Sequence, residues 1–187
     1  MGFCRPGDPT GAYIKKVGDL ISTRYIEAQE EAFRARPRTL VHSDSRGMNF
    51  FEHRTTGQIA LIDWQLWIAG PVAAEFPQMM QLSGPQYRDK AVFDKFLGFY
   101  YDKLGNLLGK DKLQQQYPLE QLRKDIHLAT IQFFMLIPGF SMGSLPDYQL
   151  PENAKEKQKY KDWIDEIFGF LYGIGVLETL GEFIEGL

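Results

Sequence analysis

Apolar residues recur along most of this chain with a helical period, and in one short region with a strand period. Over residues 11–35, Ile14, Val17, Ile21 and Tyr25 fall every three or four positions with charges between them. That pattern predicts a helix, which Pro37 stops. The period then changes. "TLV" (39–41), "MNFFE" (48–52) and "QIALID" (58–63) are short, rich in β-branched and aromatic residues, and bounded by turn formers. "RTTGQ" between the last two reads as a hairpin loop in which Gly57 supplies the awkward dihedral. After Asp63 strand signals fade, and "AGP" at 69–71 reads as a loop. Helices are expected over 73–82, 88–108, 119–136, 154–168 and 174–185, with the clearest apolar stripe at Val92, Phe93, Phe96, Leu97, Tyr100 and Leu104. Pro151 suits the first turn of a helix. The stretch 139–151 is the longest expected loop and a candidate site lining. The sum is an α+β chain, mostly helical, carrying one small β-hairpin.

Composition narrows the classes. A length of 187 residues suits one domain with a real core, and the 44% apolar and 14% aromatic content argues against disorder. The net charge of −3, with no basic stripe, leaves nucleic acid out of the expected partners. The single cysteine, Cys4, permits no disulfide within the chain, which suits a reducing compartment and a cytoplasmic protein. The first ten residues, expected to be a flexible start, lack an apolar signal core, and Pro6 stands where a myristoylation motif wants Ser or Thr. No apolar run approaches the roughly 20 residues that span a bilayer, so no membrane is expected.

Chemistry concentrates at 40–65, "LVHSDSRGMNFFEHRTTGQIALIDWQ". One connection carries His42, Asp44 and Asn49, and the second hairpin strand ends in Asp63. A tight strand-loop-strand can bring Asp44, Asn49 and Asp63 to one end of the sheet. Two carboxylates and an amide oxygen are hard ligands of the kind Mg²⁺ prefers when it shares its shell with phosphates and water. The spacing matches the protein-kinase pattern H-R-D-L-x-x-x-N followed by D-F-G. His53 and His127 have no partners at metal spacing and read as structural. A metallohydrolase built on His42, Asp44 and Asp63 would want further ligands, and the chain holds only three His.

The closer resemblance is to the aminoglycoside phosphotransferase and choline-kinase-like family, which carries H-G-D-x-x-x-x-N followed by I-D-W or I-D-F. "LVHSDSRGMNFF", "IALIDWQLWIAGP" and the helical remainder, including "YPLEQLRKDIHLATIQ", resemble it over roughly residues 11–187. The resemblance implies the C-lobe of a kinase-like fold, with the catalytic loop and metal-binding hairpin at 38–76. It implies ATP and Mg²⁺ as cofactors and a small-molecule hydroxyl as substrate. Asp44 would be the catalytic base, Asn49 and Asp63 the metal ligands, and Arg46 a contact to the transferring phosphate. His42 would support the loop by bonding backbone near Asp63, and Trp64 would pack under the hairpin.

Three departures from the family pattern stand out. Ser43 replaces the usual Gly, and Glu75 stands where the family commonly has Asp to steady the catalytic loop. The third is the nucleotide-clamping N-lobe. Only 41 residues precede His42, they read as a helix after a short tail, and Lys15 and Lys16 are the only lysines among them. The expectation is a C-lobe incomplete by itself, with a partner chain or oligomer covering the face where an N-lobe would sit. The alternative is a non-catalytic, pseudokinase-like remnant or binding module that uses the helical body as a scaffold. The sequence does not choose among amino sugars, choline-like amines and sterol alcohols as substrates.

Overall fold

The computed structural model describes residues 23–82, 84–142 and 154–186. Helix α1 spans Thr23–Arg34; the expected helical residues 11–22 lie outside the described part. It ends as the carbonyls of Glu31 and Phe33 accept the amides of Ala35 and Arg36 just before Pro37, which has no amide to give. Tyr25 and Gln29, one turn apart, are its buried face, and the Gln29 side-chain amide donates to the Leu128 carbonyl at 2.6 Å.

Four short strands follow. β1 (Arg38–Val41) pairs antiparallel with β4 (Ile68–Pro71), with Leu40 opposite Ala69 and Val41 opposite Ile68. β2 (Phe50–Glu52) pairs with β3 (Ile59–Leu61), with Phe50 opposite Leu61. The β2–β3 hairpin closes through His53 and Gln58, and Gly57 takes a left-handed φ of 67°. The stretch 69–71, expected as loop, is therefore strand. Gly and Pro weaken a strand signal, and β4 exists because β1, some thirty residues upstream, supplies its ladder. Pro71 is tolerated because it closes a strand in a two-stranded sheet.

The rest is helical: α2 (Phe76–Leu82), α3 (Lys90–Leu108), α4 (Lys110–Gln116), α5 (Leu119–Met142), α6 (Ala154–Gly173) and α7 (Val176–Glu185). Asp89 caps α3, its side chain accepting the Val92 amide at 3.0 Å. α4 was not anticipated, because "KDKLQQQ" offers a single apolar residue, Leu113, to bury. α5 runs past Pro138, so residues 139–142 of the expected long loop are helix; the remainder of that loop and Pro151 lie outside the described residues. Gly175, with φ 88°, turns the chain between α6 and α7, a conformation open to glycine.

α5 is the centre of the packing and touches α2, α3 and α7. Its Leu122 and Ile126 are almost fully buried with Phe93 and Leu97 of α3, Leu171 of α6 and Leu180 of α7. Phe76 of α2 meets Phe96 and Tyr100 of α3 edge-on, both at 5.6 Å between centroids. Asp125, with no exposed surface, accepts from Arg36 Nε at 2.7 Å, the Tyr117 hydroxyl at 2.8 Å and Gln121 Nε2 at 2.8 Å. This carboxylate ties the segment entering β1 to the helical core. Burial, followed by the Asp125 charge, pushes the Tyr117 hydroxyl well above its ordinary range, so it stays a donor. The chain is α+β and mostly helical. Among the described residues no single helix is long and apolar enough to cross a membrane.

Candidate functional site

The two small sheets present their ends to each other, and the polar residues singled out in the sequence sit at that junction. β1 delivers Val41 and His42 into the interior; both are nearly inaccessible. The chain then turns at Ser43 with φ 64°. Few non-glycine residues adopt that conformation, which puts Cβ close to the following carbonyl at a cost of about 1–2 kcal/mol. The position where the resembling family has glycine is thus a left-handed position occupied here by serine. Ser43→Gly is expected to raise stability by about 0.5–1 kcal/mol, the relieved strain exceeding the added chain entropy. A higher urea midpoint with an unchanged slope is the signature to look for; an unchanged or lower midpoint would count against strain at Ser43.

Hydrogen bonds hold the loop after the turn. The Asn49 side-chain amide donates to the Asp44 carbonyl at 2.8 Å and to Asp44 Oδ2 at 3.0 Å. The Asn49 backbone amide donates to the Arg46 carbonyl at 2.9 Å, closing a single 3₁₀ turn over Gly47–Asn49. The five-residue spacing of Asp44 and Asn49 is therefore a contact. With its amino end committed to Asp44, Asn49 leaves its carbonyl oxygen as the ligating end. Arg46 Nε lies 3.3 Å from Asp44 Oδ1 as an ion pair without hydrogen-bond geometry. The two Asp44 oxygens are thus steered by different neighbours.

Ile62 joins the two sides. Its amide donates to the Asn49 carbonyl at 3.0 Å, and its carbonyl meets His42 Nε2 at 2.8 Å. His42 Nδ1 in turn accepts the Asp44 amide at 3.2 Å. One neutral tautomer, protonated at Nε2, satisfies both bonds. Asp63 comes next in the chain and is the second non-glycine residue in the left-handed region, with φ 66° and ψ 51°. Its carboxylate is exposed and makes no hydrogen bond or ion pair with the described residues. Two left-handed side-chain-bearing residues at one junction are the kind of stored strain that clusters at functional sites. Trp64 lies edge-on to His42 at 4.6 Å, donates its indole N–H to the carbonyl of Leu61 in the hairpin strand β3 at 2.7 Å and remains 41% exposed.

Glu75 closes the underside of the loop. Its Oε2 accepts the amides of His42 at 2.8 Å and Ser43 at 3.3 Å, and its backbone carbonyl accepts the buried Ser45 hydroxyl at 3.4 Å. The glutamate side chain spans the distance to the loop. Its other oxygen, Oε1, is buried and has no hydrogen-bond partner among the described residues.

The residues offer oxygen ligands: the Asn49 side-chain carbonyl, with Asp44 bonded to Asn49, and the exposed carboxylate of Asp63, the residue after Ile62. Among the described residues no cluster of three or more His, Cys, Asp or Glu could hold a metal ion unaided. Mg²⁺ needs no such cluster when it takes one or two carboxylates and completes its shell with phosphate and water. His53 stays apart, its Nδ1 accepting the amides of Thr55 and Thr56 at 3.3 Å within the hairpin loop.

Most of the large apolar side chains left exposed in the described residues surround this junction. Leu40, Met48, Phe51, Ile59, Leu66 and Trp67 are each more than half open to solvent. Two-stranded sheets with both faces wet are marginal by themselves. No protein-family model, no curated protein and no solved structure matches this chain.

Proposed function

We propose that this chain is the C-lobe of a kinase-like small-molecule phosphotransferase, moving the γ-phosphoryl group of ATP to an alcohol hydroxyl. The observation that carries the reading is the junction itself: Asp44 bonded to Asn49, Asn49 and His42 both bonded to Ile62, and Asp63 next along the chain in a strained backbone state. Asn49 and Asp63 would hold Mg²⁺, which supplies neutralisation of the phosphate charge. Asp44 accepts a hydrogen bond from the substrate hydroxyl and takes its proton as that oxygen bonds to the γ-phosphorus and the bridging bond to ADP breaks. Arg46, swung from Asp44 to the phosphate, compensates the charge in flight. His42 and Glu75 fix the loop without touching the reacting atoms. A reaction that consumes ATP is compatible with the cytoplasm.

Such chemistry is mostly positioning, and a nucleotide needs a second surface to close on it. The exposed apolar side chains between Leu40 and Ile68 are where that surface would dock. It would have to bring a lysine for the nucleotide phosphates, since residues 17–89 contain none. The same exposed face supports a second reading, a non-catalytic binding module. On that reading Asp44→Ala and Asp63→Ala leave partner binding unchanged.

Titration calorimetry with Mg²⁺-ATP separates the two. The phosphotransferase reading expects weak binding that needs Mg²⁺ and is lost in Asp63→Ala. Binding indifferent to Asp63, or none at all, would favour the binding module.

A further inference from the structure

The two small sheets leave more apolar surface open than a monomer ordinarily shows. Ten large apolar side chains between Leu40 and Ile68 are exposed, from Phe50 at 37% to Met48 at 75%. Side chains of this size carry about 150–250 Å² each, so ten that are about half open present on the order of 1,000 Å². The largest apolar patch on a typical monomer is about 300–600 Å², and each side of a standard interface covers about 800 Å².

Both faces of the β2–β3 hairpin are open. Phe51 and Ala60 stand opposite each other and share one face; Phe50 with Leu61, and Glu52 with Ile59, share the other. Every residue of β2 is exposed, and β3 is partly covered at Leu61. Among the described residues each sheet has two strands, so each strand has a neighbour on one side and a bare edge on the other. A flat partner covers one face of such a hairpin; covering both takes a partner that clasps it.

Charge narrows the partner. Residues 38–68 carry three arginines (Arg38, Arg46, Arg54) and three carboxylates (Asp44, Glu52, Asp63), with no lysine. Asp44 and Arg46 already pair within the loop. Glu52, Arg54 and Asp63 are exposed and have no ion-pair partner among the described residues. A face with both signs in balance selects neither a polyanion nor a polycation, and it can meet its own image. Bare strand edges are self-complementary as well, since a twofold axis sets a strand against its copy running the other way.

We propose that this face pairs two copies of the chain as an isologous dimer, the β2–β3 hairpin of each clasped by the exposed apolar side chains of the other. A twofold pair closes on itself, so association stops at two. The pair needs neither metal nor nucleotide, so it stands or falls apart from the phosphotransferase reading. The paired face brings no lysine to a nucleotide, so the dimer is the form taken without a lysine-bearing partner.

Sedimentation velocity of the full chain without Mg²⁺ or ATP, from about 1 to 100 μM, tests this. Wild type should be mostly dimer at about 100 μM, with a Kd in the micromolar range. Phe51→Asp and Trp67→Asp, at positions 55% and 57% open to solvent where the fold tolerates a charge, should each weaken pairing by at least about 30-fold. Leu107→Asp, at an 83% exposed position on α3, should leave it unchanged. A wild type that stays monomeric at about 100 μM overturns the pairing, as does association that runs on past two copies. So does a Phe51→Asp chain that pairs like wild type, or a Leu107→Asp chain weakened as much as Phe51→Asp.

Discussion

Asp125→Ala lowers the stability of the fold by about 3–5 kcal/mol, a large part of the 5–15 kcal/mol that holds a typical domain together. The carboxylate has no exposed surface and receives three donors, from Arg36, Tyr117 and Gln121. Removing it leaves three donors and a guanidinium charge, itself largely covered, without a partner. The urea midpoint should fall with the slope nearly unchanged. Because Arg36 leads directly into β1, the amides of residues 38–45 should lose protection first. A loss below about 1 kcal/mol would mean the cluster is a surface feature with no structural weight.

Glu75→Ala is the second large effect, and its consequence reaches the site. The His42 and Ser43 amides lose their acceptor, at roughly 2–3 kcal/mol for bonds to a charged group. The left-handed turn at Ser43 is then spanned only by the bond from the Asp44 amide to His42 Nδ1, and the pair Asp44 and Asn49, still bonded to each other, is less firmly seated on the rest of the fold. We expect Mg²⁺-ATP affinity to fall at least tenfold, close to the effect of Asp63→Ala, although Glu75 touches neither metal nor nucleotide. Glu75→Gln, which retains an oxygen acceptor, should recover part of the stability and part of the affinity. A Glu75→Ala chain that binds as well as wild type would show that the loop orders itself unaided.

The junction was legible because spacing carries it. Asp44 and Asn49 are five apart and in contact, the hairpin loop is marked by Gly57, and Asp63 follows the second hairpin strand. The left-handed turn at Ser43 was foreshadowed only as a side chain in a place usually reserved for glycine. What the sequence hid is what tertiary contact decides. "IAGP" reads as loop until β1 pairs with it. "KDKLQQQ" has one apolar residue to show for a helix. Asp125 looks like any helix-surface carboxylate in "LEQLRKDIHL" until Arg36 and Tyr117 close over it. The role of Ile62 as the hub between His42 and Asn49 is carried by backbone atoms, which no residue name reveals. His127 was readable as structural from its apolar neighbours, and it is buried on α5.

The proposed phosphotransferase requires Asn49 and Asp63, with Asp44 alongside, to form one site for a divalent cation that carries a triphosphate. Mn²⁺ serves as a paramagnetic substitute for Mg²⁺ at oxygen ligands, and it broadens nearby amide resonances steeply with distance. Titrated together with ATP into the labelled chain, it should erase the amides of residues 44, 49 and 63 at substoichiometric levels while those of Asp94 and Asp102 stay sharp. Broadening that instead follows the surface carboxylates of α3 and α7, or that is unchanged in Asp63→Ala, would contradict the account.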